Sequence, residues 1–215
     1  MTLKPVSTVN EFSDTHFPFW KRSIDLFVSC LGMLLLSPFF VVIAVAIKLD
    51  SSGSVFFRQE RIGYRLQKFF IYKFRTMVAD APQRGMPLTA SGDSRITRFG
   101  KILRKSKIDE IPQLINVLRG EMTLVGPRPE VPRYVNLFRQ DYEEILRIRP
   151  GITDLASLKY RNESDMLRLA ADPEKEYIAH VLPDKIALAK EYVRRSSLLF
   201  DISLMLRTVG KTIFG

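Results

Sequence analysis

From Ile24 to Ile47 the chain reads IDLFVSCLGMLLLSPFFVVIAVAI, an almost unbroken apolar run. As a helix rising about 1.5 Å per residue it reaches roughly 36 Å, more than the roughly 30 Å hydrocarbon core of a bilayer. A buried core helix would need only one apolar stripe, and this run is apolar on every face. It is too long for the apolar core of a cleaved signal peptide, and no small-residue cleavage pattern follows it. The run therefore belongs in a membrane.

Ser37-Pro38 falls in the middle of the run. Proline lacks an N–H and its ring crowds the preceding turn, so the helix is expected to kink or break there. Lys21 and Arg22 stand before the run; Lys48, Arg58, Arg61, Arg65 and Lys68 follow it. Basic residues on both sides give none of the asymmetry that orients a spanning helix. They fit a helix–break–helix hairpin that dips into one leaflet and returns to the same face. Asp25 then stays near the interface, within reach of Arg22 or Lys21.

The remaining sequence is a chain of short blocks. Val55-Phe56-Phe57 and Phe69–Phe74 read as strands separated by a turn at Gly63-Tyr64, and residues 79–95 as a mobile surface loop. Pro132 to Ile148 has helical apolar spacing, and Pro183 to Arg195 is a second amphipathic helix. Leu198 to Phe214 has a wide apolar face, suited equally to packing or to lying in lipid headgroups. The fold class expected is α+β, mostly helical: residues 1–20 as an N-terminal segment, 21–50 as a re-entrant membrane hairpin and 51–215 as a small cytoplasmic catalytic domain with interfacial helices.

Among 215 residues the net charge is +10, which calls for an anionic partner. No nucleic-acid-binding motif is present, and the basic residues are spread among apolar runs, so lipid headgroups or a polyphosphate fit better than nucleic acid. The lone Cys30 excludes an internal disulfide. His16 and His180 are far apart, which argues against zinc or a histidine triad.

The densest chemistry lies in LRKSKIDEIPQLINVLRGEMTLVGPRPE, residues 103–130. Pro112 suits a first helical turn, which places Asp109 at or near an N-cap with Glu110 beside it. Alone, such a pair is a plain cap. Here Arg104, Lys105 and Lys107 precede it, and Arg128 is held between Pro127 and Pro129, ready for bidentate phosphate binding. Two carboxylates among arginines suit a divalent cation and a pyrophosphate: one carboxylate ligates Mg²⁺ or attacks phosphorus, and the other handles a proton. Neighbouring helical residues point about 100° apart, which favours different roles over a shared proton.

These motifs resemble those of the bacterial sugar transferases, the monotopic polyprenyl-phosphate phosphoglycosyl transferases. Lys21-Arg22-Ser23-Ile24-Asp25 is similar to the family's membrane-entry motif and Ser37-Pro38 to its helix break. VFFRQERIG (55–63), YKFRTM (72–77), the 103–130 stretch and RPGIT (149–153) follow in the family's order. The resemblance implies transfer of a phosphosugar from a UDP-sugar to undecaprenyl phosphate, with release of UMP. This is a first membrane step in assembling O-antigen, capsule, exopolysaccharide or glycoprotein glycans, and its product would pass to downstream glycosyltransferases. Asp109 matches the nucleophile, with Mg²⁺ bound close by, and Glu110 matches its partner. Arg104 and Arg128 match the phosphate-binding arginines, and Lys73 and Arg75 extend the basic floor. The implied location is the cytoplasmic face of the bacterial inner membrane; a homodimer is left open. After RPGIT the text Asp154 to Glu163 departs from the commonest family pattern, so sugar and base contacts are sought there.

Two rivals fare worse. A simple glycosyltransferase would carry an Asp-x-Asp motif, and the nearest text, Ser91-Gly92-Asp93-Ser94, lacks the second acid. A membrane scaffold without catalysis accounts for the charge and the apolar run but not for acids set among arginines.

Overall fold

The computed structural model describes residues 19–83 and 92–214. The expected N-terminal segment, His16 and most of the tip of the 79–95 loop lie outside the described residues. Helix α1 (Phe19–Asp50) is followed by strands β1 (Phe56–Ile62) and β2 (Lys68–Phe74), then α2 (Arg98–Lys105), a 3-10 turn over Ile108–Gln113 and α3 (Leu114–Arg119). Strand β3 (Thr123–Val125) leads to α4 (Pro132–Leu137), α5 (Arg139–Ile145) and β4 (Gly151–Thr153). Helices α6 (Leu155–Lys159), α7 (Glu163–Arg168) and α8 (Pro173–Glu176) come next, then a π turn, α9 (Leu182–Arg195) and α10 (Leu198–Phe214). The fold is mostly helical α+β, as the periodicities indicate.

Helix α1 is long and apolar enough to cross a membrane, with a mean hydropathy of 2.6 in its most apolar window. The expectation of two helices separated by a break is replaced by one helix running through Pro38. The physical reason is local. Pro38 leaves the Leu34 carbonyl without its usual donor, and the Ser37 hydroxyl donates to that carbonyl at 2.8 Å. The serine repairs the gap that the proline makes.

One stripe of α1, through Asp25, Ser29, Gly32, Leu36, Phe40, Ile43 and Ile47, faces the rest of the chain, and the other faces stay exposed. Both ends of the helix are tied down. At the start, Lys21 donates to the Val125 carbonyl and the Tyr192 hydroxyl, each at 2.9 Å, and pairs with Asp201 of α10. Arg22 donates to the carbonyls of Val117 and Leu118. Asp25 stays within electrostatic reach of Lys21 and Arg22, but its hydrogen bonds go elsewhere. It accepts from the Thr123 hydroxyl at 2.6 Å and the Leu124 amide at 3.1 Å, because β3 offers a donor pair directly opposite. At the far end Ile47 packs with Phe74 and Leu103, and the Phe99 amide donates to Asp50 at 3.1 Å.

Strands β1 and β2 form the expected antiparallel hairpin, with Phe57 opposite Lys73 and Gln59 opposite Ile71; β1 runs to Ile62, longer than its three-residue aromatic start suggested. The sheet goes no further at β2, whose backbone at Phe70 and Tyr72 is met by the Asn116 side chain. The helix expected over 132–148 is two helices, because Phe138 (φ −124, ψ 41) leaves the helical region. The bend lays α5 on α9, where Lys190 pairs with Asp141 and Glu144.

The parallel pair β3–β4 was not legible in the sequence. It brings the Gly126-Pro127-Arg128-Pro129 loop against Arg149-Pro150-Gly151, and glycine is required at the meeting point. A Cβ on Gly151 would fall 2.0 Å from the Gly126 amide nitrogen, and one on Gly126 would fall 2.6 Å from the Arg149 carbonyl oxygen. Gly151→Ala is therefore expected to cost about 1–3 kcal/mol as overpacking that backbone cannot relieve. Thermal unfolding in detergent checks this, and an unchanged midpoint would contradict the contact.

Candidate active site

The site is built where β2, the 3-10 turn and the Pro-Arg-Pro loop meet. Asp109 and Glu110 lie in the first turn of that 3-10 segment, and the residue that caps it is Lys107. Asp109 thus lies near the N-cap, as expected, two residues after the cap itself. Lys107 has φ 58, a left-handed conformation uncommon for a residue with a Cβ, and it turns the chain sharply from α2 into the acidic pair.

The two carboxylates have opposite surroundings. Glu110 is fully engaged: Lys73 donates to Oε1 at 2.7 Å, and Arg128 grips both oxygens, with Nη1 3.2 Å from Oε2. These cations hold the Glu110 carboxyl well below the usual carboxylate range in spite of its burial. Such a group is a poor proton carrier at neutral pH and a good clamp. Glu110 in turn raises the Arg128 pKa, while burial lowers that of Lys73.

Asp109 is 6% exposed, and its Oδ1 is buried with no hydrogen-bond partner. Burial pushes its pKa up, Lys73 pulls it back, and the neighbouring Glu110 charge adds to the rise. A carboxylate deprived of partners is available to a cation or an electrophile. The two acids are thus differentiated: one is tied into the protein and one is left open.

Arg104 reaches the same place from α2. Its Nε donates to the Thr76 hydroxyl at 2.8 Å, and Asp109 is the largest favourable charge acting on it. Arg75 lines the same cleft as Lys73, with its hydrogen bonds directed to the first helix. Its Nη2 donates to the carbonyls of Ile47 and Ser51 and to the Ser51 hydroxyl, so it caps the end of α1. The guanidinium still borders the cleft, but its bonds are to the membrane helix.

Several contributors were missed in the sequence. Thr76, which orients Arg104, sits inside the YKFRTM block and could have been singled out by its spacing from Lys73. Asp154, buried directly after RPGIT, caps α6, and its charge acts on Arg128 as that of Glu110 does. Glu130, at the end of the Pro-Arg-Pro loop, accepts from Arg61 at 2.7 Å and the Tyr177 hydroxyl at 2.6 Å. It anchors the loop that carries Arg128 to the hairpin and to the helical core.

Asp109, Glu110, Lys73 and Arg104 line one cleft of about 1180 Å³, to which β1, α2 and the start of α7 also contribute. That exceeds the roughly 300–1,000 Å³ of a drug-sized pocket and leaves room for a large polyanion.

This cleft and its fold belong to a known class. The bacterial sugar transferase family model matches residues 16–215, and the chain belongs to that family. Among its relatives, the UDP-N-acetylgalactosamine-undecaprenyl-phosphate N-acetylgalactosaminephosphotransferase of Aeromonas hydrophila is 36% identical over 93% of this chain and 45% of its own length. The undecaprenyl-phosphate glucose phosphotransferase of Komagataeibacter xylinus is 39% identical over 91% of this chain and 36% of its own length. The exopolysaccharide production protein PSS of Rhizobium leguminosarum bv. phaseoli is 36% identical over 88% of this chain and 92% of its own length. The chain thus spans less than half the length of the first two relatives and nearly all of the third.

The asymmetry between the two acids has a thermodynamic consequence. The folded-state pKa of Asp109 is raised, so its ionised form opposes folding above that pKa. Asp109→Asn is expected to leave the unfolding midpoint at pH 7.5 unchanged or higher. The folded-state pKa of Glu110 is depressed, so it stabilises the fold above the unfolded value of 4.5, and this is lost as pH falls through the folded value. Glu110→Gln is expected to lose about 1–3 kcal/mol at pH 7.5, because Lys73 and Arg128 keep their charge without a partner. Its deficit against the parent should shrink in acid, and unfolding curves at both pH values test the pair.

Proposed function

We propose that the protein transfers a phosphosugar from a UDP-sugar to undecaprenyl phosphate, releasing UMP and initiating the assembly of a bacterial glycan. The single observation that carries this reading is the buried, unpartnered Asp109 carboxylate set beside a glutamate clamped by Lys73 and Arg128. The names of the relatives supply the substrate class: two of them act between sugars and undecaprenyl phosphate.

Asp109 acts as nucleophile. Its carboxylate oxygen bonds to the phosphorus that bears the sugar, the bond from that phosphorus to the bridging oxygen breaks, and UMP leaves with the electron pair. An oxygen of undecaprenyl phosphate then attacks the same phosphorus and frees Asp109. Two steps at one site let donor and acceptor come in turn. Burial of Asp109 strips it of competing hydrogen bonds, and Arg128 and Arg104 meet the phosphate oxygens as charge develops on them. Glu110 acts as a positioning residue that holds Lys73 and Arg128 in place.

The site also fits Mg²⁺. That ion is held by one or two carboxylates together with substrate phosphates, and Asp109 offers a free buried oxygen of the right kind. Bound there, the ion would neutralise charge on the leaving phosphate.

The acceptor's isoprenoid tail confines its phosphate to headgroup depth, so the cleft must sit at the membrane surface. A helix that crossed the bilayer would carry one of its ends about 30 Å from the catalytic domain. Both ends of α1 bind that domain, which supports a helix that enters and leaves the same leaflet, on the cytoplasmic face. The basic surface would draw both the anionic leaflet and the donor.

Asp109→Asn is expected to abolish UMP release while the protein stays folded and membrane-bound; near-normal turnover removes Asp109 as nucleophile. In the active protein the acid limb of kcat/KM should fall at a pH above the ordinary aspartate value of 3.8. Release of UDP in place of UMP would point instead to simple glycosyl transfer. For topology, Asn10→Cys and Val55→Cys in a Cys30→Ser background should both label from the cytoplasmic side, and labelling from opposite sides overturns the same-leaflet arrangement.

A further inference from the structure

The start of α7 reaches the catalytic cleft with four polar side chains, Arg161, Asn162, Ser164 and Asp165. Their sequence neighbours are committed elsewhere. Lys159 and Tyr160 bind Asp184 of α9 at 2.8 and 2.7 Å, Glu163 pairs with Lys185, and Leu167 is buried in the main core. The four cleft residues make no side-chain hydrogen bond or ion pair among the described residues. A segment fastened on one side to α9 thus holds a row of uncommitted donors and acceptors toward the substrate space.

Its position identifies which part of the donor it meets. The four residues line the same cleft as Asp109, Glu110, Lys73 and Arg104, so the segment borders the space around the reacting centre. In a nucleotide-diphosphate sugar the attacked phosphorus carries the sugar through a single oxygen. The base is set off from it by a second phosphate and a ribose. A group that borders the same cleft as the reacting centre therefore meets the sugar before the base.

The chemistry agrees. Sugar epimers differ in the direction of single hydroxyls, which apolar contacts distinguish weakly and fixed hydrogen-bonding groups distinguish well. A carboxylate accepts only, a guanidinium donates only, and an amide or hydroxyl does both. Arg161, Asn162, Ser164 and Asp165 supply every one of these capacities on one preformed turn. Two of the relatives carry names with different sugars, N-acetylgalactosamine and glucose, and a discriminating group is needed to tell such sugars apart.

We propose that Arg161, Asn162, Ser164 and Asp165 read the sugar ring of the donor and set which UDP-sugar is used. This rests on the donor reading given under Proposed function. The test uses the full chain in nanodiscs with undecaprenyl phosphate, and measures UMP release from UDP-glucose, UDP-galactose, UDP-N-acetylglucosamine and UDP-N-acetylgalactosamine. The variants are Asn162→Ala, Asp165→Asn and the milder Ser164→Ala, all at exposed positions. The kcat/KM ratio between the best sugar and its 4-epimer should change at least tenfold in Asn162→Ala or Asp165→Asn. The inhibition constant of UDP, which lacks the sugar, should stay within twofold. An active parent with unchanged ratios in all three variants overturns the proposal alone. So does a UDP inhibition constant that rises in step with KM. A parent that releases no UMP from any of the four donors overturns the donor reading and this proposal with it.

Discussion

Successive side chains of a strand leave on opposite faces, and β2 uses that rule to join two environments. Lys73 points to the clamp around Glu110, while Phe74 is buried against Phe40 of the membrane helix, with ring centroids 5.1 Å apart. One residue on, Arg75 caps the end of the same helix. A strand that shifted by one residue would bury Lys73 among phenylalanines and aim an aromatic ring at the phosphate site. The register of β2 therefore ties the position of the site to the long apolar helix. Asn116 holds that register from the outer edge.

The clamp explains how the protein keeps two adjacent acids in a buried place. Two adjacent ionised carboxylates repel, and burial magnifies the repulsion. Glu110 resolves it by recruiting Lys73 and Arg128, and it remains ionised at the expense of its own reactivity. Asp109 is left with the unfavourable surroundings and an oxygen that none of the described residues satisfies. Stability and reactivity are thus assigned to different members of one dipeptide. The supporting residues lie far away in sequence: Glu130 anchors the arginine loop, Thr76 orients Arg104, and the Gly126–Gly151 contact lets the two loops meet.

Helix α1 shows how a polar fold accepts an apolar rod of 32 residues. Its polar residues are not tolerated passengers. Lys21, Arg22 and Asp25 lie on or beside one stripe at its start, and each finds a partner in β3, α3 or α10. This fastens the helix to the domain before the lipid-facing residues begin. Exposed apolar side chains on α10, among them Leu199, Leu206 and Val209, add to the non-polar surface of the molecule. The inner face of that helix is packed, since Leu204 and Asp201 are buried.

Local order was readable wherever one segment carries its own signal. The apolar run, the aromatic hairpin, the stiff Pro-Arg-Pro loop and the acidic pair all declare themselves through composition and spacing. The sequence alone therefore determined the long apolar helix, the hairpin and the place of the acidic pair among basic residues. Relations between distant segments left no such trace. Whether Asp25 meets Lys21 or Thr123, whether Arg75 serves phosphate or a helix end, and whether Glu110 carries a proton or holds two cations depend on which groups arrive opposite. Three-residue strands such as β3 and β4 are too short to show a period, and Phe138 interrupts a helix for the sake of packing that only the assembled core supplies. The acidic pair was legible as two letters; its division into a clamp and an open carboxylate was decided by tertiary structure, because burial and partners act through space and not along the chain.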